Sequence, residues 1–350
     1  MIEFINIFLS NLLIVCFGYM SISTFKTYKC YKDFKVKPDI SIKLPPKLVS
    51  GNQTISKEQL NEYIQEFDRV VQEKFPKENL ILYNKNKSDC NIYDLSIDNT
   101  LFKKMRIDCG FGLYFEKYNN ILLMFVKSKK TKTIVKHELF HMASSYCDKE
   151  NKIYYSGFQQ IDLEKKTNFC RGLNEGYTEV LTERYFENTT QKQEGTFIYL
   201  FCRNVASLFE KIIGQEKMEN LYLNANLKDL FFEAEKYNEK EQFLNFNHNM
   251  DYIYKYSFEK IKGVFIPNFY LQKIEPIQKY LLDTYVNKKL IELENQQINH
   301  NILINDISRF IKEVYEISII KQKNYNILTK EDFIDYVNSK IQNNQEVKFK

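Results

Sequence analysis

From about residue 190 almost to its end, the sequence repeats apolar residues at the spacing of an amphipathic helix. The pattern is clear in "TFIYLFCRNVASLFEKIIG", "NFYLQKIEPIQKYLLDTYVNKKLIELENQ" and "ILINDISRFIKEVYEISII". The chain has only ten glycines and six prolines in 350 residues, so few positions interrupt regular structure. We therefore predict a mostly helical chain, with a helical C-terminal domain over residues 191–345.

Residues 53–190 contain short apolar segments in addition to helical patterns, and they predict a mixed α+β domain. Ser56 and Gln59 form a potential capping box for a helix that ends before Pro76. The short segments "LILY", "IYDLSI", "FGLYF" and "ILLMFV" then read as strands, with "EKYNN" as a hairpin turn between the last two. A second hairpin or loop is expected in "KIYYSGFQQIDLEKKTNFCRG", and a helix follows it in spite of Gly176.

The N-terminal 25 residues predict a transmembrane anchor. Residues 4–25 are uncharged and largely apolar, about long enough to span a bilayer as a helix. Residues 26–52 form a basic juxtamembrane segment and a proline-containing linker. Because its lysines all follow the apolar run, the positive-inside rule predicts that the rest of the chain is cytoplasmic. The alternative is a buried N-terminal helix of the globular fold.

Charge and cysteine content exclude some classes of protein. The net charge of +5 is modest and the charges are interspersed, so the chain lacks the basic stripe of a nucleic-acid-binding protein. Its seven cysteines are scattered and form no Cys-x-x-Cys pair. We expect reduced, mostly buried thiols, which favours a reducing compartment.

The segment "TIVKHELFHMAS", residues 133–144, carries the most specific chemical signal in the chain. On a helix, His137 and His141 share one face, so their ring nitrogens can meet at one metal ion. Zinc accepts neutral imidazole, and Glu138 beside the histidines fits a general base that acts on water. The alternative is an ordinary buried helix that happens to carry two of the four histidines.

A second segment, "GLNEGYTEVLTERY", places Glu175, Glu179 and Glu183 four residues apart on the next predicted helix. A solvated helix often carries acids at this spacing. Combined with the histidine motif, the pattern favours a functional site.

Together, "HELFH" and "NEGYTE" resemble the gluzincins, the thermolysin-like zinc metallopeptidases. The resemblance implies a zincin-like fold that binds one zinc ion through His137, His141 and Glu175, with Glu138 as the general base. It also implies Glu179 as the acid that holds the imidazole of His137. The expected substrate is a peptide or protein, which would pair with the edge of the apolar strand "ILLMFV".

The segments "ELFHMAS" and "GLNEGYTEVLTERYF" further resemble a group of membrane-anchored proteins of low-GC bacteria. The chain departs from the gluzincin pattern in one respect, because no Tyr or His is recognisable as the residue that stabilises the oxyanion. His248 and Tyr252 are candidates by residue type and position, while a surface histidine and a core tyrosine are the alternative. Cys147 is expected to pack at the end of the histidine helix.

These observations favour a membrane-anchored zinc metallopeptidase with an α+β, zincin-like domain. Two other classes stay open. One is a peptidase-like binding module without turnover, and the other is a membrane-tethered helical interaction protein in which His137 and His141 bind no metal.

Overall fold

The computed structural model describes residues 47–51, 56–94, 112–123, 131–162, 164–165, 167–186, 197–259, 268–320 and 323–343. They form an α+β fold that is mostly helical, with two four-stranded sheets and a short two-stranded one. The predicted anchor and most of the segment over residues 26–52 lie outside the described residues. Of the helices that are described, none has the length and apolar character needed to cross a membrane.

Internal contacts divide the chain into two compact units. The first comprises the described residues up to Lys74 and Asn84–Met142, and the second comprises Phe75–Tyr83 and the described residues from Ala143 onward. The domain boundary near residue 190 stays a prediction. The first-unit elements are β1 (Lys47–Gly51), α1 (Lys57–Lys74), β2 (Asn91–Asp94), β3 (Gly112–Phe115), β4 (Asn120–Leu123) and α3 (Thr131–Ala143), with α2 (Ile81–Asn86) at the boundary.

Helix α1 begins with the predicted capping box. The Ser56 N–H donates to Gln59 Oε1 at 3.3 Å, and the Gln59 N–H donates to Ser56 Oγ at 3.1 Å. These bonds satisfy backbone donors that the first helical turn leaves without partners. The helix ends at Lys74, before Pro76, as predicted.

The prediction of a strand at "LILY" is wrong, because this segment is helical. A short 3₁₀ helix at Lys77–Leu80 leads directly into α2. Leu80 and Tyr83 are buried while Ile81 is 64% exposed, so the apolar contacts fall three residues apart. That is the spacing of one helical face, which four residues are too few to distinguish from a strand.

The first sheet has the strand order β1-β2-β4-β3. Strand β2 pairs in parallel with β1 and β4, and β3 pairs antiparallel to β4 through the predicted turn at residues 116–119. Strand β4 contains the first three residues of "ILLMFV" and has a neighbour on both sides, while residues 124–126 lie outside the described residues. For the described residues, the expectation that this edge is open to a substrate is therefore wrong, and β1 and β3 are the terminal strands of the described sheet.

Helix α3 carries the histidine motif and is buried around most of its circumference. Val135, Leu139 and Phe140 have no exposed surface, and the Phe140 ring packs edge-on against Phe67 of α1 at 5.0 Å. The helix ends at Ala143. Cys147 therefore lies in the strand that follows, not at the helix end as expected, because residues 145–148 pair with another strand.

After α3, the second unit continues with an antiparallel sheet of four consecutive strands, which confirms the predicted hairpin and extends it by two strands. The strands are β5 (Ser145–Asp148), β6 (Ile153–Ser156), β7 (Gln159–Asp162) and β8 (Thr167–Phe169). Gly157 in the β6–β7 turn has a φ of +55°, a left-handed conformation that glycine adopts without steric cost.

The remaining described residues confirm the helical pattern. The elements are α4 (Arg171–Phe186), α5 (Phe197–Ile213), α6 (Gln215–Leu223), α7 (Leu227–Glu235), α8 (Lys240–Glu259), α9 (Asn268–Glu294), α10 (His300–Glu316), the strands β9 (Ile319–Ile320) and β10 (Lys323–Asn324), and α11 (Lys330–Asn343). The four described cysteines are free thiols and three are buried, as expected: Cys90, Cys170 and Cys202.

Two glycines explain how α4 packs. A Cβ at Gly176 would lie 2.3 Å from the carbonyl oxygen of Cys202 on α5, and one at Gly172 would lie 2.6 Å from that of Met250 on α8. Both contacts are with backbone, which cannot move aside as a flexible side chain can. Glycine at these positions therefore lets two helices approach α4 closely, at some cost in helix propensity.

We expect Gly176→Ala to lower the free energy of unfolding by about 1–3 kcal/mol, because the added methyl group forces α4 and α5 apart. The measurement is urea unfolding followed by circular dichroism, in the presence of a chelator. Helix propensity alone would make alanine more stable by about 0.5–1 kcal/mol, so the sign of the change distinguishes the two effects. A stabilised variant would contradict the close packing.

Candidate metal centre

The two histidines of α3 direct the same ring nitrogen towards one point. His137 Nε2 and His141 Nε2 are 3.2 Å apart, and the residues are only 7% and 5% exposed. Two nitrogens bound to one tetrahedral zinc ion at the usual distance of about 2.0–2.1 Å lie about 3.3 Å apart. The observed separation therefore suits two ligands of one ion, and it also suits a hydrogen bond between two imidazoles.

Glu175 on α4 completes a group of three possible ligands. One ligand atom from each of His137, His141 and Glu175 lies within 4.8 Å of the other two. Two neutral imidazoles and one carboxylate form a donor set that catalytic zinc sites use, with a further position left for water or substrate. The residues present therefore fit a zinc ion.

Glu138 lies between the two histidines in sequence and is only 6% exposed. Its side chain contacts the backbone of β3 at Gly112. A carboxylate beside possible metal ligands and largely shielded from solvent suits a general base.

A buried lysine with an acidic partner directly precedes the motif. Lys136 has no exposed surface, and its Nζ lies 2.7 Å from Glu66 Oε2 of α1, which also pairs with Lys132. Burial lowers the pKa of Lys136 to about 8, although the contact with Glu66 opposes this shift. The sequence did not single out this pair, because a lysine in a charged segment is usually solvated.

Asn174, the residue before Glu175, has a structural role within the second unit. Its Oδ1 accepts a hydrogen bond from the Phe158 N–H at 2.9 Å, and its Nδ2 donates to Gln159 Oε1 at 3.4 Å. Asn174 is completely buried, so these bonds satisfy an amide that would otherwise be costly to bury. The side chain thus joins α4 to the β6–β7 turn.

Asp251 of α8 caps the beginning of α4. Its two carboxylate oxygens accept hydrogen bonds from the Gly172 N–H at 2.7 Å and the Cys170 N–H at 2.8 Å. Burial raises the pKa of Asp251 to about 6, against the effect of these donors and of Arg171. The sequence gave no sign of this contact, since the two residues it joins are about eighty positions apart.

Four other residues named in the sequence analysis lie outside the group of three possible ligands. His248 and Tyr252 are exposed on α8, and their role at the oxyanion stays a prediction. Glu179 is half-buried one turn after Glu175, and its role as partner of His137 also stays a prediction. Glu183, the third acid in the series, forms an ion pair with Arg203 of α5.

Comparison of the chain with protein-family models, curated proteins and solved structures found no match.

We expect the stability of the wild-type chain relative to Asp251→Asn to fall as pH rises from about 4 to about 6. The folded state binds the proton of Asp251 more tightly than the unfolded chain, where the pKa is near 3.8, so this contribution is complete below pH 4. It is lost as pH passes about 6. The change is on the order of 1–3 kcal/mol.

Denaturant unfolding at several pH values, with a chelator present, measures this difference. Asp335→Asn, an exposed substitution on α11, is the control. A wild-type chain that gains stability over Asp251→Asn as pH rises would mean that the N–H donors and Arg171 outweigh burial.

Proposed function

We propose that this protein is a zinc-dependent metallopeptidase with a zincin-like fold, tethered to a membrane by its N-terminal segment. One observation carries the proposal: two buried imidazole nitrogens 3.2 Å apart, with Glu175 close enough to supply a third ligand atom. The donor set supports zinc as the metal, because two imidazoles and a carboxylate with an open position are typical of catalytic zinc.

His137, His141 and Glu175 would hold the ion. When bound, zinc would polarise a peptide carbonyl and lower the pKa of a water molecule. Glu138 takes a proton from the attacking water as its oxygen bonds to the carbonyl carbon, and the proton then passes to the amide nitrogen as the C–N bond breaks. The products are a carboxylic acid and an amine.

The sheet supports an extended peptide as the substrate. Strand β3 is one of the two terminal strands of the described sheet, and its first residue, Gly112, contacts Glu138. Backbone groups on a terminal strand can pair with an added peptide strand. A peptide paired with β3 would lie beside the general base, which β4 cannot offer because it has partners on both sides.

We expect the purified full-length chain to contain one zinc ion, and His137→Ala/His141→Ala and Glu175→Gln to lose it. Removing a ligand should lower zinc affinity by more than the roughly 10–100-fold that an outer-sphere partner contributes. Elemental analysis and competition with a chelator measure this, with circular dichroism to check folding. The control is His248→Ala/His300→Ala, which removes the two exposed histidines and should keep the ion.

Each contrary result has a definite meaning. A folded wild-type chain without metal, even after zinc is supplied, would favour the metal-free interaction protein with a hydrogen bond between the imidazoles. A Glu175→Gln variant with full zinc content would remove Glu175 from the ligand set and direct attention to Glu179.

We expect Glu138→Gln to retain zinc and to lose hydrolytic activity by about 10²–10⁴-fold, because glutamine cannot take a proton from water. Cleavage of a peptide library by the wild-type and variant chains, with matched zinc content, measures the loss. Equal cleavage would remove Glu138 from the mechanism. A zinc-loaded wild-type chain that cleaves no peptide would favour the binding module without turnover.

A further inference from the structure

Gly112 lies where the end of the Glu138 side chain meets the first sheet. A Cβ at residue 112 would be 2.6 Å from Glu138 Oε1, 2.8 Å from Cγ and 2.9 Å from Cδ. All three distances are shorter than van der Waals contact, so a side chain at residue 112 and the present position of Glu138 exclude each other.

The carboxylate of Glu138 is freer to move than the groups around it. It is buried, and its helical neighbours Val135 and Leu139 have no exposed surface. The backbone of β3 is fixed in turn by pairing with β4, where Gly112 lies opposite Leu123. Of the groups in contact, the carboxylate at the end of the flexible side chain is the one that would shift.

We propose that Gly112 is a positioning residue for the general base: its lack of a side chain sets where the Glu138 carboxylate lies. This inference rests on the proposed function for its effect on catalysis, while the contact itself can be tested without activity. Gly112 has no left-handed φ, so the backbone does not require glycine here. The contact with Glu138 is the reason for glycine that the structure provides.

The catalytic arm of the test compares Gly112→Ala with Lys117→Ala in the full-length chain. Lys117 is exposed in the turn that joins β3 to β4, so it controls for a disturbance of the hairpin outside the strand that would pair with the peptide. We expect Gly112→Ala to keep one zinc ion and a nearly unchanged KM, and to lose about 10–100-fold in kcat. Lys117→Ala should lose much less.

The second arm measures the contact by thermal unfolding in a chelator. We expect Gly112→Ala to lower Tm by on the order of 2 °C in the wild-type chain and to have no effect in a Glu138→Ala chain, where the space is free. This arm remains decisive if the wild-type chain cleaves no peptide, so failure of the proposed function and failure of this inference are distinguishable.

Two results would overturn the inference. One is a Gly112→Ala chain with the wild-type kcat when the wild-type chain is active. The other is an equal shift in Tm with and without the Glu138 side chain, because the methyl group would then disturb the strand by itself.

Discussion

Two imidazole rings held side by side on one face of a helix that water hardly reaches are the constraint on which the proposed site depends. Each buried nitrogen needs a partner, and with 3.2 Å between the two Nε2 atoms there is room for one proton or one shared ion, not for two protons. Other buried polar residues of α3 also have partners. Lys136 forms an ion pair with Glu66, and the Glu138 side chain lies against the backbone of β3. A helix that carries so many polar groups in a core is costly unless each is satisfied.

The helix that supplies Glu175 is fixed by contacts that act on its backbone. Gly172 and Gly176 admit the backbones of α8 and α5, Asp251 caps the first turn, and Asn174 binds the β6–β7 turn. A carboxylate can serve as a metal ligand only if its helix holds it in one place, since a shift of about 1 Å is enough to spoil such a site. Few of these contacts involve charged side chains on the surface, so they depend little on salt.

The sequence predicted features that are local in the chain. The capping box at Ser56, the β3–β4 hairpin and the C-terminal helices follow from spacing within one segment, and the histidine pair follows from the geometry of one helical turn. Predictions failed where a short segment was ambiguous, as at "LILY", or where strand pairing competed with helix extension, as at Cys147. Asp251 and Gly112 could not be found, because their importance lies in partners about eighty and 26 positions away.

The order of strands in a sheet is a second feature that local sequence does not determine, and here it bears on the proposed function. The apolar strand before the histidine helix had the composition expected of a strand beside a substrate, but composition does not determine which strand lies at the end of a sheet. Pairing of β4 with both β2 and β3 leaves β3 at one end of the described sheet, and β3 begins with the glycine that contacts Glu138. In the proposed function, one strand would therefore both align the peptide and fix the base. Alignment of the peptide and placement of the Glu138 carboxylate would then depend on each other. Any residue larger than glycine at position 112 would move that carboxylate relative to the peptide bond on which it acts.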